Sequence, residues 1–192
     1  MRLFCILTAC LIIDYCFCYN MEMQGECFML RGWKLDDVES LQKHADNPNI
    51  YSFLMDRFPH PYTMEAGTAF ITSMLNQSPV VNFAIDVEGK AVGVIGLELR
   101  GDVYRKAPLL GYWISETLWG RGIIPQAIKL ITAYAFEYLD AVRVQASVLS
   151  NNPRSMRVLE KAGFIKEGAL KNNIIKNDVI LDEHIYAAFK TY

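Results

Sequence analysis

The chain has 192 residues, enough for a sizeable apolar core and few for two ordinary domains without a visible linker. Its residues are 52% apolar and 21% charged with a formal net charge of -2, so no global basic excess points to nucleic acid and any bound anion must be held locally. Cys5, Cys10, Cys16 and Cys18 precede the part that reads as folded and only Cys27 lies within it, which gives neither a disulfide framework nor a metal spacing.

Residues Leu3 to Ile13 form an apolar run behind Arg2, like the core of a signal peptide, and contain the lipoprotein-like Leu7-Thr8-Ala9-Cys10. The run is shorter than the roughly 17 to 25 residues a bilayer-spanning helix needs. The expectation is an extension over 1-22, a translated upstream stretch or tail with the true start at Met21 or Met23, then one domain over 23-192. No stable membrane span and a cytoplasmic setting are expected, with a secreted form as the alternative.

Cys27 to Trp33 reads as a strand. Asp36 is placed to cap a short helix through about His44, and Thr63 to cap a second through about Leu75, with Phe70, Ile71, Met74 and Leu75 on its apolar side. Phe58-Pro59-His60-Pro61-Tyr62 between them is a proline-stiffened loop. Val80 to Val87 and Ala91 to Leu99, joined through Glu88-Gly89-Lys90, predict an antiparallel hairpin. Leu109 to Ser115 is another strand, and Trp119-Gly120-Arg121-Gly122 leads into a helix ending near Leu139, with Ala127, Ile128, Ile131, Tyr134, Ala135 and Tyr138 as its apolar stripe. Val142 to Leu149 is a strand, Pro153 to Ala162 a helix stopped by Gly163, and Phe164 onward with Val179 to Phe189 the last strands, with a turn near Asn172-Asn173. This order predicts a mixed α+β domain, without internal repeats.

Between the strand ending near Ser115 and the helix beginning near Gly122, two glycines permit a tight turn and leave backbone N–H groups uncovered. The first amides of a helix lack internal partners and sit at the positive end of its dipole, so the bend is an anion cradle to which Arg121 adds a cation. A dinucleotide-binding turn fits less well, because Pro125 stands where a third glycine belongs and no acidic residue ends the following strand near Leu149 to Asn151. A phosphate-binding loop of the nucleotidase type lacks its Lys-Ser/Thr.

Gly111-Tyr112-Trp113-Ile114-Ser115-Glu116 followed by Trp119-Gly120-Arg121-Gly122-Ile123-Ile124 resembles the cofactor motif of the GNAT superfamily of acetyltransferases. Asn152-Pro153-Arg154-Ser155 and Leu159-Glu160-Lys161-Ala162-Gly163-Phe164 are similar to its second motif at the expected distance, especially in the ribosomal-protein-alanine (Rim-type) branch. The resemblance implies a central, mostly antiparallel, splayed sheet of six to seven strands flanked by about four helices. It implies acetyl-CoA as co-substrate, no metal, and direct attack by a primary amine, with a protein N-terminal α-amine as one acceptor. Two parallel strands, Leu109 to Ser115 and Val142 to Leu149, would part around the pantetheine arm, which pairs with the backbone of Trp113, Ile114 and Ser115. Trp119 to Ile124 would hold the diphosphate, and Asn152 and Ser155 the pantetheine end or the departing sulfur.

For catalysis the candidates are the Ile114 amide as oxyanion donor, Glu98 or Glu116 as base through water, and Ser155 at the sulfur. Two positions depart from the family pattern: Leu109 stands where the branch often has a glutamate, and Leu159 where some relatives have an acidic tyrosine. As bland counterparts, Glu98 is a solvent-facing strand residue, Asn152 a helix cap, and Tyr112 and Trp113 packing groups. The alternatives are a non-catalytic acyl-CoA sensor and an acetyltransferase for a small amine such as a polyamine or aminoglycoside. The expected partners are acetyl-CoA and the amine, without nucleic acid, in a monomer or homodimer.

Overall fold

The computed structural model describes residues 21–191, so the signal-like run lies outside the described residues. Eight strands form one sheet: β1 (Met23–Gln24), β2 (Met29–Arg31), β3 (Asn82–Val87), β4 (Lys90–Glu98), β5 (Leu109–Ile114), β6 (Arg143–Leu149), β7 (Ile165–Lys176) and β8 (Val179–Phe189). Their order is β1-β2-β3-β4-β5-β6-β8-β7, and every pairing is antiparallel except β5 with β6. Five α-helices accompany it: α1 (Val38–Ala45), α2 (Pro48–Tyr51), α3 (Met64–Leu75), α4 (Ile123–Tyr138) and α5 (Pro153–Lys161). The mixed α+β class is as expected, with one strand more than the upper count and one helix more than four.

The added elements are short. β1 folds back on β2 through a turn in which the Gly25 amide donates to Phe28 O, 2.9 Å. α2 begins at Pro48 behind Asn47, whose side chain accepts from the Asn49 amide, 2.8 Å. That asparagine cap followed by proline at the first helical position is a legible start signal.

Two apolar clusters sandwich the sheet. Trp33, Leu41, Ile71, Ala84 and Val94 join one face to α1 and α3, and Phe83, Ile85, Ile95, Ile128, Ile131 and Val144 join the other face to α4. The stripe of α4 is buried except at Tyr138, and on α3 Leu75 is exposed. Thr63 caps α3 through the Ala66 amide, 3.2 Å. The β3–β4 hairpin turns on Glu88 and Gly89, both at positive φ (54° and 78°), which suits a two-residue loop joining right-twisted strands.

Two local expectations are corrected. The first helix is preceded by a 3-10 turn over Leu35–Asp37, and no side-chain cap from Asp36 forms. The last hairpin turns at Asn177-Asp178, both at positive φ, whereas Asn172 (φ 52°) serves a register irregularity between Leu170 and Ile174. Asn and Asp tolerate this region, so both asparagine clusters carry the same signal and pairing decides between them.

Asp37 is drawn instead into a buried ion cluster. The Arg31 guanidinium donates to both Asp37 oxygens (2.7 Å each) and to Asp86 Oδ2 (2.7 Å), tying β2 to β3 and to the turn before α1. The two carboxylates hold the guanidinium firmly protonated, with the Asp37 hydrogen bond the largest cause. Arg31→Met would strand two buried carboxylates, and urea unfolding is expected to show a loss of about 3 to 5 kcal/mol. A loss below about 1 kcal/mol would mean the cluster is not coupled to folding.

Candidate active site

The site begins where the sheet divides. β5 and β6 share one registered pair, Leu109 with Gln145, supported by the Gln145 amide donating to Pro108 O (3.0 Å) and the Val142 amide to Lys106 O (2.9 Å). Beyond it β5 follows β4 through Gly93↔Ile114, while β6 follows β8 through Leu149↔Glu183, and the two strands part.

Strand alternation says which backbone groups face the opening. The Ser115 amide donates to Val92 O, 2.8 Å, so Ser115 and Trp113 turn their polar backbone toward β4. Tyr112 and Ile114 therefore direct theirs into the gap. Ile114, a candidate oxyanion donor, faces the gap together with Tyr112, whereas the backbone of Trp113 and Ser115, expected there from the sequence, faces β4. The Ile114 carbonyl is taken by Trp119 Nε1, 3.0 Å.

From β5 the chain passes through a 3-10 turn, Glu116–Leu118, to Gly120 (φ 81°) and Gly122 (φ 78°), and α4 starts at Ile123. Among the described residues, no protein acceptor meets the amides of Gly120, Arg121, Gly122, Ile123 or Ile124. No side chain caps α4, and Pro125 falls in its first turn, where a missing N–H costs nothing. Arg121 is exposed on this loop, and the Arg154 guanidinium lies 4.4 Å from the centre of the Trp119 ring.

Glu116 braces the loop from below. Its carboxylate accepts from Asn49 Nδ2 (3.0 Å) and Asn47 Nδ2 (2.8 Å), joining the bend to the start of α2. The Asn49 and then the Asn47 hydrogen bonds, aided by Arg154, hold it below the usual carboxylate range. A carboxylate held ionised in this way is a weaker proton acceptor than a free one, and its hydrogen bonds tie the bend to α2.

A cavity of about 1130 Å³ runs through the gap, bordered by Tyr112, Ile114, Gly122, Ile124, Asn152 and Ser155. Asn152 Oδ1 caps α5 by accepting the Ser155 amide, 3.1 Å. The Ser155 hydroxyl lies 2.7 Å from the Tyr112 hydroxyl. Glu98 borders the same cavity but is exposed and ion-paired with Arg57, 3.0 Å. Leu159 is fully buried core and Leu109 lines the cavity wall.

The sequence reading missed three features. Tyr112 meets Ser155 across 43 positions of chain, a distance no local pattern reveals. Lys176 is buried, with Nζ 2.7 Å from Asp56 and 3.7 Å from the Tyr51 ring centre, closing the cavity from the β7 side. The asparagine hold on Glu116 is equally long-range. The gap and its unoccupied amides suit a diphosphate joined to an extended, amide-bearing arm. Among the described residues no group of side chains suits a metal ion and no helix is long and apolar enough to cross a membrane.

The model of the acetyltransferase (GNAT) domain matches residues 28–165. YjcK of Bacillus subtilis, named as an N-acetyltransferase, is 32% identical over 155 residues, 76% of this chain and 84% of that protein. The ribosomal-protein-serine acetyltransferase of Escherichia coli is 33% identical over 105 residues (55% and 58%), and spermidine N(1)-acetyltransferase of the same species 23% over 139 residues (72% and 73%). The structure of the microcin C7 self-immunity acetyltransferase MccE, solved with acetyl-CoA and AMP, shares the fold at TM-score 0.74 and 24% identity, over 86% of this chain and 94% of that one. The chain belongs to the GNAT family of acetyltransferases. It is an N-acetyltransferase with acetyl-CoA as its co-substrate.

Two substitutions probe the cradle. At Gly122 an added Cβ meets open space, but an L-residue at φ 78° is strained by about 1 to 2 kcal/mol, so Gly122→Ala must turn the amides. KM for acetyl-CoA is expected to rise about tenfold, as for one lost charge-assisted hydrogen bond, with kcat retained. Glu116→Gln is expected to leave the pH profile of kcat/KM unmoved between about pH 6 and 9, whereas loss of a limb would make Glu116 the base.

Proposed function

We propose that the chain acetylates the α-amine of a protein or peptide N-terminus. The supporting observation is the state of the carboxylates along the cavity: Glu98 is paired with Arg57, Asp56 with Lys176, and Glu183 accepts from Asn173 Nδ2, 2.6 Å. With Leu109 and Leu159 apolar, the described residues of the site include no idle strong base, so the acceptor must arrive largely neutral. An α-amine titrates near 7.7 to 8.0 and a lysine near 10.4, which makes the α-amine roughly 300-fold more available at neutral pH. Paired carboxylates also give little to attract a polycation.

In this reading the neutral amine attacks the thioester carbonyl, and the Ile114 amide receives the developing oxyanion. Ser155 Oγ protonates the sulfur as the carbon–sulfur bond breaks. Asn152 fixes the turn that presents Ser155, and the amides from Gly120 to Ile124 anchor the diphosphate. Trp119 supports that bend through its bond to the Ile114 carbonyl. Glu98 relays a proton to water only if released from Arg57. A cytoplasmic setting, where acetyl-CoA is available, accompanies this reading.

The test compares peptides that differ in offering an α-amine or only a lysine amine. The rate with the first is expected to rise with pH and level off above about 8 as the α-amine loses its proton. Preference for the lysine peptide, or for spermidine, would overturn the proposal.

A further inference from the structure

The Tyr112 and Ser155 hydroxyls lie 2.7 Å apart, close enough for either to donate, and acidity argues for one direction. A phenol is the stronger acid and the weaker base of the two hydroxyls, with a tyrosine ordinarily near 10, so the tyrosine donates and the serine accepts. The serine amide already occupies Asn152 Oδ1, and among the described residues each hydroxyl has the other as its side-chain partner. Both side chains line the cavity in the gap between β5 and β6. Once Ser155 Oγ accepts from Tyr112, its own hydrogen is left for a group in that gap.

We infer that Tyr112 is a positioning residue, whose hydroxyl donates to Ser155 Oγ and so aims the serine proton at the departing sulfur. This rests on the role given to Ser155 in the proposed function. As the carbon–sulfur bond breaks, its electron pair goes to sulfur, and Ser155 Oγ gives its proton to that sulfur. Oγ is refilled by the proton that the amine nitrogen sheds once the new carbon–nitrogen bond has formed, carried by water. The refilling is concerted with the transfer, so Oγ never stands as an alkoxide that would take the Tyr112 proton. Burial pushes its hydroxyl up to about 12, outweighing the lowering effect of the bond to Ser155, so it remains a donor across the working pH range. The arrangement also lessens the effect of Leu159, since the proton donor stands at the start of α5 rather than on its buried side.

The test uses the full chain and whichever amine it turns over, with two thioesters: acetyl-CoA and an acetyl aryl thioester, whose thiolate leaves without protonation. The ratio of the two rates is taken within one preparation, so a reduced folded fraction in any variant cancels. Tyr112→Phe is expected to lower kcat with acetyl-CoA about tenfold with KM for acetyl-CoA within about twofold, and to leave the aryl thioester rate nearly intact. In a Ser155→Ala background, Tyr112→Phe should add no further loss, and Ser155→Thr should recover part of the rate. Equal losses with both thioesters, or losses that multiply in the double variant, would make Tyr112 a packing residue and overturn the inference. An unimpaired Ser155→Ala would overturn the serine role itself, and a lysine or polyamine preference only the acceptor, so the three failures are distinct.

Discussion

Everything in the site follows from two parallel strands that can pair at only one point. β5 is held along its length by β4 and β6 along its length by β8, and each partner fixes a direction the other strand does not share. Past Leu109 and Gln145 the ladder between them ends, and the Tyr112 and Ile114 amides are left facing an opening. A buried backbone group without a partner costs on the order of 1 to 3 kcal/mol, so the opening is tolerable only where water or an amide-bearing ligand can enter. The bend at Gly120 and Gly122 extends the same condition past the strand, to the unpaired start of α4.

Because the split weakens the sheet as a single body, the two halves need other links. Asp56 and Arg57, adjacent in the loop before α3, supply two: Asp56 reaches Lys176 on the β7 side, and Arg57 reaches Glu98 on the β4 side. The first involves a buried ammonium beneath the Tyr51 ring, while the second is exposed and so worth little by itself. The roof over the cavity is thus anchored mainly to the β7 half. Phe58 rests edge-on against Trp113, their ring centres 6.0 Å apart, which adds an apolar contact on the other half.

Much of the fold was legible because local rules and tertiary packing agree. Thr63 and Asn152 cap the helices their sequence positions predict, Glu88-Gly89 turns the first hairpin, and the stripe of α4 enters the core. The glycine bend was legible for the same reason, since helix starts and glycines announce their geometry locally. Parity was not: sequence shows that residues 109 to 115 alternate, but only the register with β4 tells that Ile114 faces the gap and Ser115 does not. The hold of Asn47 and Asn49 on Glu116 was not legible either, because its sequence neighbours are silent about residues nearly seventy positions away. The last hairpin failed for a third reason, two asparagine clusters of equal turn strength.

The central claim is that the gap and the bend together seat the co-substrate, and a crystal structure with coenzyme A tests it most directly. Diphosphate oxygens are expected within about 3.2 Å of amides between Gly120 and Ile124, with the pantetheine amides paired to Tyr112 and Ile114. A coenzyme seated elsewhere, with β5 and β6 zipped past Leu109, would contradict it.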